Sequence, residues 1–70
     1  MFTYNAENVL RSLAMDSDYY ETIEQWDKLD SVMELFKFIK QNAVNGLVYL
    51  TAEQRDVYQE GTNDIYLELV

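Results

Sequence analysis

The sequence predicts a mainly α fold, a compact bundle of three to four short helices, with a minor two-stranded β element in its C-terminal third as the one β component. Three observations predict it. Apolar residues recur at helical spacing in several stretches, Asn or capping-box pairs stand where those stretches begin, and the 70 residues contain no proline and only two glycines, Gly46 and Gly61. The length is that of one domain spanning residues 1–70.

The first helix is expected from about Asn5 to Ala14. The Asn5 side chain can accept a bond from an unpaired backbone N–H, and Ala6, Val9, Leu10 and Leu13 form one apolar face. Met15-Asp16-Ser17 reads as a turn. A second helix starts at Ser17 or Asp18, with Glu21 three residues after Asp18 as in a capping box, and closes at Lys28-Leu29-Asp30. Its apolar positions are Tyr19, Ile23 and Trp26, which places Ile23 and Trp26 in the core. Ser31 and Glu34 form a further capping box for a third helix, whose stripe is Val32, Leu35, Phe36, Ile39 and Ala43. Asn45-Gly46 supplies a left-handed stop.

Thr51 and Gln54 open a short helix through Val57 and Tyr58 that ends at Gly61. On either side, residues 47–50 and 65–70 are rich in β-formers, and their pairing would make the small sheet. The alternative is that 47–50 extends the bundle and the last six residues pack as a tail.

Composition narrows the chemistry. A chain this short buries only about 60% of its unfolded surface, so its stability is a few kcal/mol. It has no Cys and no His, which removes disulfides, a zinc site, the commonest general base and a thiol nucleophile. Ser12, Ser17 and Ser31 lack a base partner, and no Gly-rich phosphate loop is present. Asp16, Asp18 and Glu21 match a calcium loop poorly and suit helix capping better. The expectation is therefore no enzyme, no metal and no cofactor. The N-terminus has no basic leader, and the longest apolar run, residues 47–50, is too short for a membrane span. This suggests a cytoplasmic protein, or one in the host cytoplasm if its origin is viral.

Thirteen acids against five bases give a net charge of −8. Such a chain is repelled by nucleic acid and by acidic membranes, and its natural partner is a basic protein surface. Seven of the acids, Asp16, Asp18, Glu21, Glu24, Asp27, Asp30 and Glu34, fall within residues 16–34, offset only by Lys28. On a helix, Glu21, Glu24 and Asp27 would make an oblique band, each rotated by about 60° from the last. Like charges at such spacing cost a few tenths of a kcal/mol per pair, a cost that a basic partner would remove. Tyr19 and Tyr20 lie in the same run. Being adjacent they cannot both face inward, so one of them is expected at the surface as an interface anchor.

In composition alone, the chain resembles the small acidic proteins with which bacteriophages block host defences. These include DNA mimics that inhibit restriction or CRISPR nucleases and inhibitors of uracil-DNA glycosylase. It resembles acidic immunity proteins and antitoxins in the same way. No motif carries the resemblance, so no residue role is transferred. It implies a protein inhibitor that covers a basic nucleic-acid-binding groove, with a nuclease or another nucleic-acid-binding enzyme as the expected target. The expected contacts are Asp16, Asp18, Tyr19, Tyr20, Glu21, Glu24, Asp27, Asp30 and Glu34. A different class of function is a structural or adaptor subunit, such as a homodimer. Phe38 motivates it, lying about 200° around the third helix from Phe36 and giving that helix apolar surface on two sides.

Overall fold

The computed structural model describes residues 2–69, and the side chains of residues 2–60. The order of elements is β1 (Phe2–Asn5), α1 (Ala6–Thr22), α2 (Trp26–Asn42), β2 (Leu47–Leu50) and α3 (Ala52–Leu69). The predicted class holds: helices dominate, with a two-stranded antiparallel sheet beside them. Several boundaries differ, each for a physical reason.

Asn5 caps α1 as expected, its Oδ1 accepting from the Asn8 N–H at 3.1 Å. The helix then continues through the predicted turn at Met15–Ser17. Its buried positions are Ala6, Val9, Leu13, Asp16 and Tyr20, an unbroken alternation of three and four residues that makes one face. Asp16 occupies a core position in that series, so the local turn preference of Asp and Ser is overridden by packing. Ser17 Oγ donates instead to the Ala14 carbonyl at 2.9 Å, inside the helix.

The break falls later, at Ile23–Gln25. The Gln25 N–H donates to the Tyr20 carbonyl at 2.9 Å and the Glu24 N–H to the Glu21 carbonyl at 3.2 Å. That pair of bonds is a Schellman cap, with Glu24 in the left-handed position at φ 58°. α2 begins immediately afterwards and packs against α1 as an antiparallel hairpin. Ser31 is therefore interior to α2, not its cap, and its Oγ donates to the Asp27 carbonyl at 3.2 Å. The buried stripe of α2 is Val32, Leu35 and Ile39.

Asn45-Gly46 is a turn of another kind. α2 ends at Asn42, and Val44 and Leu47 exchange both backbone hydrogen bonds, at 2.9 and 3.0 Å. Asn45 and Gly46 between them have φ 54° and 78°, the two positive values of a type I′ hairpin turn. It feeds β2, which pairs antiparallel with β1: Phe2 with Leu50, Thr3 with Tyr49, Tyr4 with Val48 and Asn5 with Leu47. The strand at 47–50 is as expected, but its partner is the N-terminal segment. Residues 65–69 belong to α3, and Val70 lies outside the described residues.

The capping box of α3 forms as predicted, Gln54 Oε1 accepting from the Thr51 N–H at 2.9 Å and Thr51 Oγ1 from the Gln54 N–H at 3.2 Å. α3 does not end at Gly61; its backbone is helical to Leu69. A helical glycine costs only about 1 kcal/mol relative to Ala, which the surrounding helix absorbs.

The core lies where the helix hairpin meets one face of the sheet. Val9 and Leu13 of α1, Val32 and Ile39 of α2, and Val48 and Leu50 of β2 are almost wholly buried. Phe38 packs against this core, as do Tyr58 and Tyr4, whose rings stack with centroids 5.6 Å apart. Among the described residues no helix is long and apolar enough to cross a membrane.

Candidate functional site

Most of the predicted site residues fall towards one end of the helix hairpin, near the Ile23–Gln25 turn, while Glu34 stands at the middle of α2, and they do not form the continuous band on a single helix that the spacing suggested. Asp18 and Glu21 are exposed near the C-terminal end of α1. Glu24 is exposed in the turn, and Asp27, Asp30 and Glu34 are exposed on α2. The left-handed residue reverses the chain between Glu21 and Asp27, so the two helices each contribute part of an acidic end.

None of these six carboxylates takes part in an ion pair among the described residues. Lys28, the single base in the run, engages α3 instead: its Nζ is 3.6 Å from Glu60 Oε1 and 5.5 Å from the centre of the Tyr20 ring. A cleft of about 170 Å³ opens beside this contact, lined by Tyr20, Asp27, Lys28, Ser31, Val57 and Glu60 among others. Its walls come from all three helices.

Two of the predicted contacts are withdrawn from the surface. Asp16 is 1% exposed and Tyr20 is 2% exposed, because both continue the buried face of α1. Asp16 offers no surface to a partner while that face is packed, and Tyr20 offers only what it lends to the wall of the cleft. Tyr19 is half-buried, with its ring 5.4 Å from that of Tyr20. Of the two adjacent tyrosines, Tyr20 is inside and Tyr19 is partly buried and packed against the core, so neither stands fully at the surface, where one of them was expected.

The exposed aromatic residue at this end is Trp26. It was expected in the core but is 54% exposed, and Ile23 beside it is 42% exposed. The reason is phase. Ile23 and Trp26 would share a face only if one helix ran through both, whereas the turn resets the count at Trp26. From there, Asp30 and Met33 follow at four and seven residues, on the side of α2 opposite Val32 and Ile39. The signal that could have found this is the polar set Glu24, Gln25, Asp27 and Asp30 around Trp26.

Three local choices at this end oppose stability. Glu24 holds a left-handed conformation that favours Gly or Asn, at roughly 1–2 kcal/mol. Glu21 stands in the last turn of α1, which has no basic residue, so its charge meets the negative end of the helix dipole. Trp26 and Ile23 leave apolar surface in water. Among the described residues, no group of three or more acidic side chains is arranged to hold a metal ion. Comparison with known protein families, with curated proteins and with solved structures finds no match.

Proposed function

We propose that this chain is a binding protein, not an enzyme, whose acidic helix-hairpin end docks into a basic nucleic-acid-binding surface of another protein and excludes the nucleic acid. The single observation that carries the reading is the composition of that end. Among the described residues, five exposed carboxylates without ion pairs, Asp18, Glu21, Glu24, Asp27 and Asp30, flank the turn that carries the exposed Trp26, where several local choices cost stability. Sequences usually satisfy local rules together, and breaches cluster where function requires them.

The physics of such docking is direct. Carboxylates take the places of phosphates opposite Lys and Arg, and the field of the acidic end speeds encounter. A desolvated Trp at the centre, ringed by charge, has the make-up of an interface hot spot. Trp26 thus replaces Tyr20 as the anchor, with Ile23 and Tyr19 beside it. The functional class this supports is an inhibitor of a nuclease or another nucleic-acid enzyme, of the anti-restriction or anti-CRISPR kind that phages use. The reading based on Phe38 as a self-association surface has less support, because Phe38 packs against the core.

The test is capture from a bacterial lysate by the immobilised chain and by two variants. Reversing Glu21, Glu24 and Asp27 to Lys is expected to abolish capture of basic proteins without loss of helicity. Trp26→Ala is expected to weaken it by about 2 kcal/mol or more, as hot-spot truncations do, while leaving the fold intact. Undiminished capture by the folded triple variant would rule the reading out.

A further inference from the structure

The cleft between the three helices already holds a cation that the chain itself supplies. Its floor is apolar: Val32 and Tyr20 are almost wholly buried, and Val57 is partly buried against the same core. Its polar lining is Asp27, Lys28 and Ser31 of α2 and Glu60 of α3, of which Asp27, Ser31 and Glu60 are exposed. Two carboxylates stand against one ammonium, so the cleft is net anionic.

Lys28 lies in it as a bound cation would. Its Nζ is 3.6 Å from Glu60 Oε1 and stands over the Tyr20 ring, 5.5 Å from the centre. A carboxylate beside an aromatic face is a strong combination for a cation at an apolar site. The hold on Glu60 is nevertheless loose. A charge-assisted hydrogen bond is shorter, at about 2.7–2.9 Å, and both side chains of this pair are substantially exposed to water. Asp27, the second carboxylate, takes part in no ion pair among the described residues. The cleft therefore supplies more negative charge than Lys28 meets. Its volume, about 170 Å³, exceeds the roughly 150 Å³ of a cavity that takes up benzene, and a guanidinium is smaller than that ring.

We infer that the cleft is a binding site for a guanidinium group, and that its occupant is an arginine side chain of the basic partner. The source of the arginine rests on the docking proposed for the acidic end, to which Asp27 also belongs. Arginine suits the lining better than lysine does. Its plane can lie on the Tyr20 face, its five donors can serve more than one carboxylate, and its methylenes can run along Val57. Two carboxylates disfavour any anionic occupant. Entry sends the Lys28 ammonium into water, which costs little because its pair with Glu60 is exposed. Lys28 is thus a tethered competitor for the site.

The test is an amide NMR titration of the whole chain at low salt, without any partner. The probes are Nα-acetyl-arginine N-methylamide and its citrulline counterpart, which has the same shape and no charge. Saturable shifts at Ser31, Val32 and Val57 are expected with the arginine compound and not with the citrulline one. Lys28→Gln should bind arginine about two- to fivefold more tightly, the range for releasing an exposed ion pair. Lys37→Gln removes the same charge from α2 outside the cleft and should bind as wild type does, and Asp27→Asn should bind more weakly. Circular dichroism confirms that each variant is folded. Absence of saturable shifts in both wild type and Lys28→Gln would overturn the inference. So would equal affinity of Lys28→Gln and Lys37→Gln, or equal binding of citrulline. The two readings fail separately: a chain that captures a partner yet ignores arginine loses only the cleft, whereas one that binds arginine yet captures nothing keeps the site and loses the docking.

Discussion

Glu24 is the residue whose position is hardest to explain by folding alone. It completes a Schellman cap with the backbone geometry that glycine would accept most easily, at φ 58°. Glu24→Gly removes the left-handed strain and also one of the unpaired carboxylates. Urea denaturation of the variant is expected to show a stability gain of about 0.5–1 kcal/mol, net of the added backbone entropy of glycine. The same substitution should weaken partner binding. A loss of stability would mean that the carboxylate supports the fold. Residue-level legibility in the sequence was uneven for a related reason. Exposed carboxylates are recognisable from charge and spacing, and Asp18, Glu21, Asp27, Asp30 and Glu34 are all at the surface as expected. Asp16 was not legible as buried, because a carboxylate at a core position is rare and only the full packing of α1 puts it there.

At the scale of elements, capping chemistry was the dependable signal where it stood at a true boundary. Asn5 and the Thr51–Gln54 pair form the bonds that their types predict. Ser31 and Ser17 have the same residue types but lie inside helices, since Val32 and Asp16 belong to apolar faces that run straight past them. Caps stabilise by about 1 kcal/mol, less than the burial of a helical face, so packing wins where the two conflict. Thr51→Ala should therefore cost about 1 kcal/mol in thermal or urea unfolding, while Ser31→Ala should be within about 0.5 kcal/mol of wild type. An equal effect of the two would contradict the assignment of Thr51 as the sole N-cap of the pair. The strand partner of 47–50 was beyond local reading. Asn45-Gly46 flanked by Val44 and Leu47 signals a hairpin turn, but nothing local says that the long-range partner is Phe2–Asn5.

At the scale of the whole molecule, charge and apolar exposure divide between two ends. The hairpin turn carries unpaired carboxylates around Trp26 and Ile23, and the sheet carries an uncharged face of Val44, Leu47 and Tyr49. The net charge of −8 was plain from composition, but its segregation was not, because the turn that gathers the acids and the sheet that gathers the neutral residues are products of tertiary folding. The steep salt dependence expected at the acidic end follows from the number of charges it brings to the contact.

The most direct test of the central claim is competition. The chain is immobilised, its partner is captured from a bacterial lysate at low salt, and the complex is challenged with increasing double-stranded DNA and, separately, RNA. Displacement of the captured protein by one of these nucleic acids, with a midpoint that moves when Glu21, Glu24 and Asp27 are reversed to Lys, is the predicted result. A captured partner that nucleic acid cannot displace at any concentration would contradict the claim that the acidic end occupies a nucleic-acid-binding surface.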